Sequence, residues 1–93
     1  MKRIDIQCTR WFQKSYGNTY FTALVTVDYG KLTEREIYLP FQYGYDEHYL
    51  DIVKRELFPE EKYTYEPLWR ICSENRIRLR VNVQDVRRKK DMI

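Results

Sequence analysis

Two cysteines, three glycines, three prolines and a single histidine are all that the 93 residues hold of those types, and each scarcity removes a class of explanation. Cys8 and Cys72 show no C-x-x-C or Cys/His spacing, which leaves neither a disulfide framework nor a zinc site. Both are expected to be reduced and buried, because a free cysteine behaves as a small hydrophobe. Spacing leaves open whether they meet across the core, since a bridge depends on geometry. So little glycine and proline, beside 43% hydrophobic residues, argues against a low-complexity or disordered chain. No apolar run approaches the roughly 18 residues of a membrane span, and the opening MKRIDIQC lacks the apolar stretch of a secretory signal. A cytoplasmic protein without a membrane partner is the expectation. Glycine-rich phosphate loops, nucleophile elbows and catalytic Cys/His patterns are missing too. No cofactor is implied, and an enzyme is disfavoured.

What is present is enough apolar material for one core, at a size that does not require metal or disulfides. The domain is expected over residues 1–86, with 87–93 as a basic C-terminal tail. A net charge of +3 conceals a strong asymmetry. Residues 76 to 90 carry Arg76, Arg78, Arg80, Arg87, Arg88, Lys89 and Lys90 against Asp85 alone, while the remainder has ten cations and thirteen carboxylates. That distribution points to an acidic partner for the C-terminal segment, or to a solvated basic end.

Side-chain periodicity supplies the fold. Ile4, Ile6 and Cys8 alternate with polar residues, the period of a half-buried strand. Gly17-Asn18 can reverse the chain into a second strand, residues 19 to 29. There Phe21, Ala23, Val25 and Val27 share one face, and Tyr20, Thr22, Leu24 and Thr26 the other. A third strand, residues 34 to 41, should turn Ile37, Leu39 and Phe41 inward. Tyr49, Leu50, Val53 and Leu57 recur at helical spacing after Asp46, a good N-cap. Pro67 suits the start of a second short helix burying Leu68, Ile71 and Cys72, with Asn75 at its end. The run RIRLRVNVQ, residues 76 to 84, alternates without exception. It directs Ile77, Leu79, Val81 and Val83 to the core and Arg76, Arg78 and Arg80 onto one outer row. The expected fold is α+β, in two layers: a mostly antiparallel sheet in the order β-β-β-α-α-β, with helices on one face and the other face open.

Fifteen aromatic residues, nine of them Tyr, exceed what such a core needs. Trp11, Phe12, Phe21, Phe41 and Trp69 are assigned to packing. Tyr20 and Tyr38 have the outward parity, and Tyr43 and Tyr45 fall in QYGYD, where the alternation breaks; these four are expected to present rings and hydroxyls. Outward Tyr beside a row of Arg is the combination that binds single-stranded nucleic acid or nucleotides, with rings stacking bases and guanidinium groups meeting phosphates. The nucleic-acid-binding residues expected are therefore Arg76, Arg78, Arg80, Arg87, Arg88, Lys89 and Lys90 with Tyr20, Tyr38, Tyr43 and Tyr45. The same combination makes protein interaction hot spots, so a protein-binding modulator or inhibitor of a host enzyme or defence complex is the alternative. His48, with Asp46, Glu47 and Asp51, reads as a solvated helix start rather than a catalytic or metal cluster, because neighbouring helix positions do not share a face. The β-α-β-β-α-β order and glycine-aromatic signature of the RNA-recognition motif are absent.

The segments WFQKSYGNTYF, LPFQYGYDEHYL and LWRICSENRIRLRVNVQDVRRKKD together resemble a group of small proteins of unknown function encoded by bacteriophages and mobile elements. That group carries a W-F-x-K-x-x-G-N-T-Y turn and a Y-G-Y segment ahead of a helix. Matching positions are Trp11, Phe12, Gly17, Asn18, Thr19, Tyr20, Tyr43, Gly44 and Tyr45. The pattern has His and Gly where this chain has Phe21 and Asp46, so no polar role carries over there. The resemblance implies viral origin more than any activity.

Overall fold

Alternation of apolar and polar side chains produces strands where the sequence predicts them, and tight turns join the first three. The computed structural model describes residues 1–92. Strand β1 (Arg3–Gln13) pairs antiparallel with β2 (Asn18–Val27). Gly17 makes the turn between them at φ 68°, its N–H donating to the Gln13 carbonyl; a left-handed residue is what such a reversal demands. Strand β3 (Arg35–Tyr43) adds antiparallel to β2. Helices α1 (His48–Leu57) and α2 (Leu68–Glu74) follow. The chain then crosses the sheet to β4 (Arg78–Val86), which runs parallel to β1. The sheet order is β3-β2-β1-β4. A parallel neighbour needs a long crossover, and the two helices provide it. No helix among the described residues is long and apolar enough to cross a membrane.

One face of the sheet is the core. Ile4, Ile6 and Cys8 of β1, Phe21, Ala23, Val25 and Val27 of β2 and Leu39 of β3 pack with Tyr49, Val53 and Leu57 of α1 and Leu68 and Cys72 of α2. Lys54 is buried as well, its Nζ donating to the Thr64 carbonyl at 3.0 Å and lying 3.5 Å from Asp51. Burial raises the Cys8 thiol to about 12 and the Cys72 thiol to about 11, so almost no thiolate exists at neutral pH. Iodoacetamide at about pH 8 is expected to leave both unmodified in the folded chain and to label both in denaturant, as read by mass spectrometry. Native labelling of either thiol at the denatured rate would contradict this packing.

Parity and coverage overturn several sequence expectations. Pro40 and Phe41 together oppose the single residue Thr22, because the register shifts between Phe21↔Gln42 and Ala23↔Leu39. This bulge, placed where a proline has no N–H to offer the ladder, reverses the alternation. Phe41 therefore turns outward, 39% exposed, and not into the core. Val81 and Val83 alternate as predicted but stay exposed. The seven residues of α2 span about 10 Å, against about 30 Å for a nine-residue strand. Trp69 lies on the solvent side of α2 at 61% exposure, and Phe12 is exposed as well, so neither packs into the core. Asp46 adopts φ 47° and is not the N-cap; Glu47 holds that position without a side-chain bond.

Candidate nucleic-acid interface

The open sheet face carries two chemically different ends. Pairing registers place Arg3, Asp5, Gln7, Thr9 and Trp11 of β1 in line with Arg78, Arg80, Asn82, Gln84 and Val86 of β4. From β2 come Tyr20, Thr22, Leu24 and Thr26, and beyond them Tyr38 and Tyr43 of β3. At one end the rings gather. Tyr20 stacks on Phe41 with centroids 4.8 Å apart and planes 12° apart, and on Trp11 at 5.8 Å. Tyr43 meets Tyr20 edge-on at 5.9 Å and Tyr45 at 5.4 Å. The Tyr45 hydroxyl donates to the Gly17 carbonyl, which ties the Y-G-Y segment to the first turn. Thr9 and Thr22 lie buried on the same face next to this cluster.

Cations border the rings. After Val86 the chain turns back through a 3-10 turn (Lys89–Asp91), and Lys89 Nζ sits 4.8 Å from the Phe41 ring centroid. Arg87, Arg88 and Lys90 are exposed beside it. Arg10, on the helix side of β1, donates to Asp85 at 2.8 and 3.1 Å and to the Asp46 carbonyl at 2.9 Å. The Asp85 carboxylate raises its pKa further. This fastens the end of β4 to the start of α1, so the tail emerges at the aromatic end.

The opposite end is arginine-rich. Arg78 and Arg80 are exposed on the open face, opposite Arg3 and Asp5. Arg3 pairs with Asp5 at 2.7 Å. A shallow hollow of about 430 Å³ between the ends is lined by Asp5, Gln7, Leu24, Thr26, Arg80 and Asn82 among others. From Arg3 to Trp11 the face runs about 26 Å, at about 3.3 Å per residue.

Arg76 leaves the row that alternation assigned to it. It is the left-handed residue closing α2, at φ 57°, with the Ile77 N–H donating to the Cys72 carbonyl at 2.8 Å and the Arg76 N–H to Ser73 at 3.4 Å. Glycine suits that position, so Arg76→Gly is expected to raise stability by about 0.5–1 kcal/mol, seen as a Tm higher by a few degrees. A lower Tm would mean that this helix end is not the one described.

Asp28 anchors the same end. Buried, at φ 54°, it accepts the Lys2 and Arg3 N–H groups at 2.7 and 3.0 Å and the Thr33 hydroxyl at 3.0 Å. The Lys2 N–H foremost holds its carboxyl below the usual range. Its stabilising contribution is therefore complete above about pH 4 and is lost as pH falls through the lowered value. Thermal melts between about pH 2 and 7 should fall more steeply for the natural chain than for Asp28→Asn, a residue that tolerates the same backbone. Parallel curves would rule this linkage out.

The structure thus brings Tyr20, Tyr43 and Tyr45 together near Lys89, keeps Tyr38 on the same face, and sets Arg78 and Arg80 at the far end. Sequence reasoning missed Trp11 and Phe41 as members of the ring cluster and Arg3 as a member of the cationic end. Only the Pro40 within a strand pattern hinted at the reversal that exposes Phe41. No family model, curated protein or solved structure matches the chain.

Proposed function

We propose that this is a non-enzymatic binding protein whose open sheet face takes single-stranded nucleic acid, with the phage or mobile-element origin that the resemblance implies. The observation that carries the reading is the ring cluster of Trp11, Tyr20, Phe41 and Tyr43 on a face with cations at both ends. Stacking platforms flanked by positive charge suit single strands, whose unpaired bases expose their ring faces, and suit duplexes poorly. Lys89, Lys90, Arg87 and Arg88 would meet phosphates at the aromatic end, and Arg78 and Arg80 at the other.

Fluorescence polarisation with labelled single- and double-stranded oligonucleotides at about 50 mM salt tests the reading. Tighter binding of the single strand is expected. No binding at tens of micromolar overturns the proposal. The exposed rings and arginines equally suit an acidic patch on a host protein, and a stable complex formed through that surface without oligonucleotide binding would put the modulator reading first.

A further inference from the structure

Three segments far apart in sequence converge at the arginine-rich end. Lys2, Arg3, Lys31, Arg76 and Arg78 line one hollow of about 390 Å³ together with Tyr29. Backbone hydrogen bonds hold the segments against one another. The Arg78 N–H donates to the Lys2 carbonyl at 2.9 Å, and the Lys31 N–H to the Asp28 carbonyl at 3.0 Å. The Asp28 carboxylate clasps Lys2 and Arg3 from below. Arg76 is positioned by the close of α2, and the Arg3 guanidinium stands 5.9 Å from the Tyr29 ring centroid. Among the described residues, Arg3 has Asp5 as its ion-pair partner, while Lys2, Lys31, Arg76 and Arg78 have none.

Charge balance selects the ligand class. Five side-chain cations face three carboxylates, Asp5, Asp28 and Glu34; Asp28 is already committed to three hydrogen bonds, and Glu34 accepts the Gly30 N–H at 2.8 Å. Two positive charges stay uncompensated in a framework built from backbone contacts. An internal phosphodiester carries one negative charge, whereas a phosphate monoester carries about 1.5 to 2 at neutral pH and a polyphosphate more. Arg and Lys donors are the groups that recognise such oxygens. Tyr29, 64% exposed, adds a ring against which an attached base can lie.

We infer that this hollow binds a multiply charged phosphate group, either the terminal monoester of a nucleic-acid strand or the polyphosphate of a free nucleotide. The strand-end source rests on the single-strand reading above; the nucleotide source does not.

Calorimetric titration of the intact chain with inorganic tripolyphosphate at about 50 mM salt tests the site without any nucleic acid. Lys31→Gln combined with Arg76→Gly should weaken binding by about tenfold or more. Glycine suits the Arg76 backbone, so that loss would not come from misfolding, and circular dichroism melts verify it. Lys14→Gln with Lys62→Gln, which removes the same charge elsewhere, should leave the affinity unchanged. Two results overturn the inference: no tripolyphosphate binding by the unmodified protein below about 1 mM, or an equal loss in both double variants. Two further arms identify the source. An oligothymidylate with a terminal phosphate binding more tightly than its unphosphorylated counterpart, with the gain lost in K31Q/R76G, supports the strand end. ATP binding more tightly than tripolyphosphate, with the gain lost in Tyr29→Ala, supports the nucleotide. Failure of unphosphorylated strands to bind would count against the single-strand reading alone.

Discussion

Replacing Phe21 by alanine is expected to cost about 3–5 kcal/mol of unfolding free energy, a large part of the total for a domain of this size. Phe21 is 1% exposed and sits on β2 where the sheet meets α1, its ring 6.3 Å from that of Tyr49. Gly44 has no side chain for a physical reason. A Cβ there would lie 2.8 Å from Phe21 Cε1 and 2.8 Å from His48 Cδ2, so the backbone closes directly over the ring. A cavity left by truncation is enclosed by strand, helix and this loop, which limits collapse. Urea denaturation should show a lower midpoint with an unchanged slope. A loss below about 1 kcal/mol would mean that the ring is not the centre of a close-packed core.

On the open face, Tyr43→Ala should weaken single-strand binding by about 1–3 kcal/mol, or about 5- to 150-fold. Tyr43 is 52% exposed and borders the stacked pair Tyr20–Phe41. Removing it shortens the platform without opening the core. Arg78→Gln with Arg80→Gln acts on a different component. Exposed charges add little to folding, so stability should hold, while the slope of log affinity against log salt becomes shallower by up to about 0.7 per lost phosphate contact. The two variants therefore separate stacking from charge. If Tyr43→Ala leaves the affinity unchanged while the arginine pair abolishes binding, the ring cluster is not the platform.

Much of this was legible in the sequence wherever neighbours along the chain decide the outcome. The inward faces of β1 and β2, the buried positions of α2 and the close of that helix at Asn75 all follow from local period and capping. Legibility failed where a contact across the sheet intervened. The bulge at Pro40-Phe41 depends on register with Thr22, so parity beyond it could not be read from β3 alone. Val81 and Val83 have the pattern of core residues, but α2 is too short to cover them. Arg76 shares the alternation of the strand that follows, yet the end of α2 claims it. Lys2, Arg3 and Lys31 carried no signal at all, since only the β1–β4 pairing and the Asp28 turn bring them to Arg76 and Arg78.

That parallel pairing also orders the assembly in time. The ring cluster lies wholly within β1, β2, β3 and the loop after them, where tight turns close contacts cheaply. Arg78 and Arg80 belong to a strand whose partners are distant; Arg10 and Asp85, joined across it, are 75 residues apart. Closing so long a loop is slow, and until it closes β1 is an unprotected sheet edge. The ring cluster is thus expected to form early and locally, with Arg78 and Arg80 arriving only as the last strand docks.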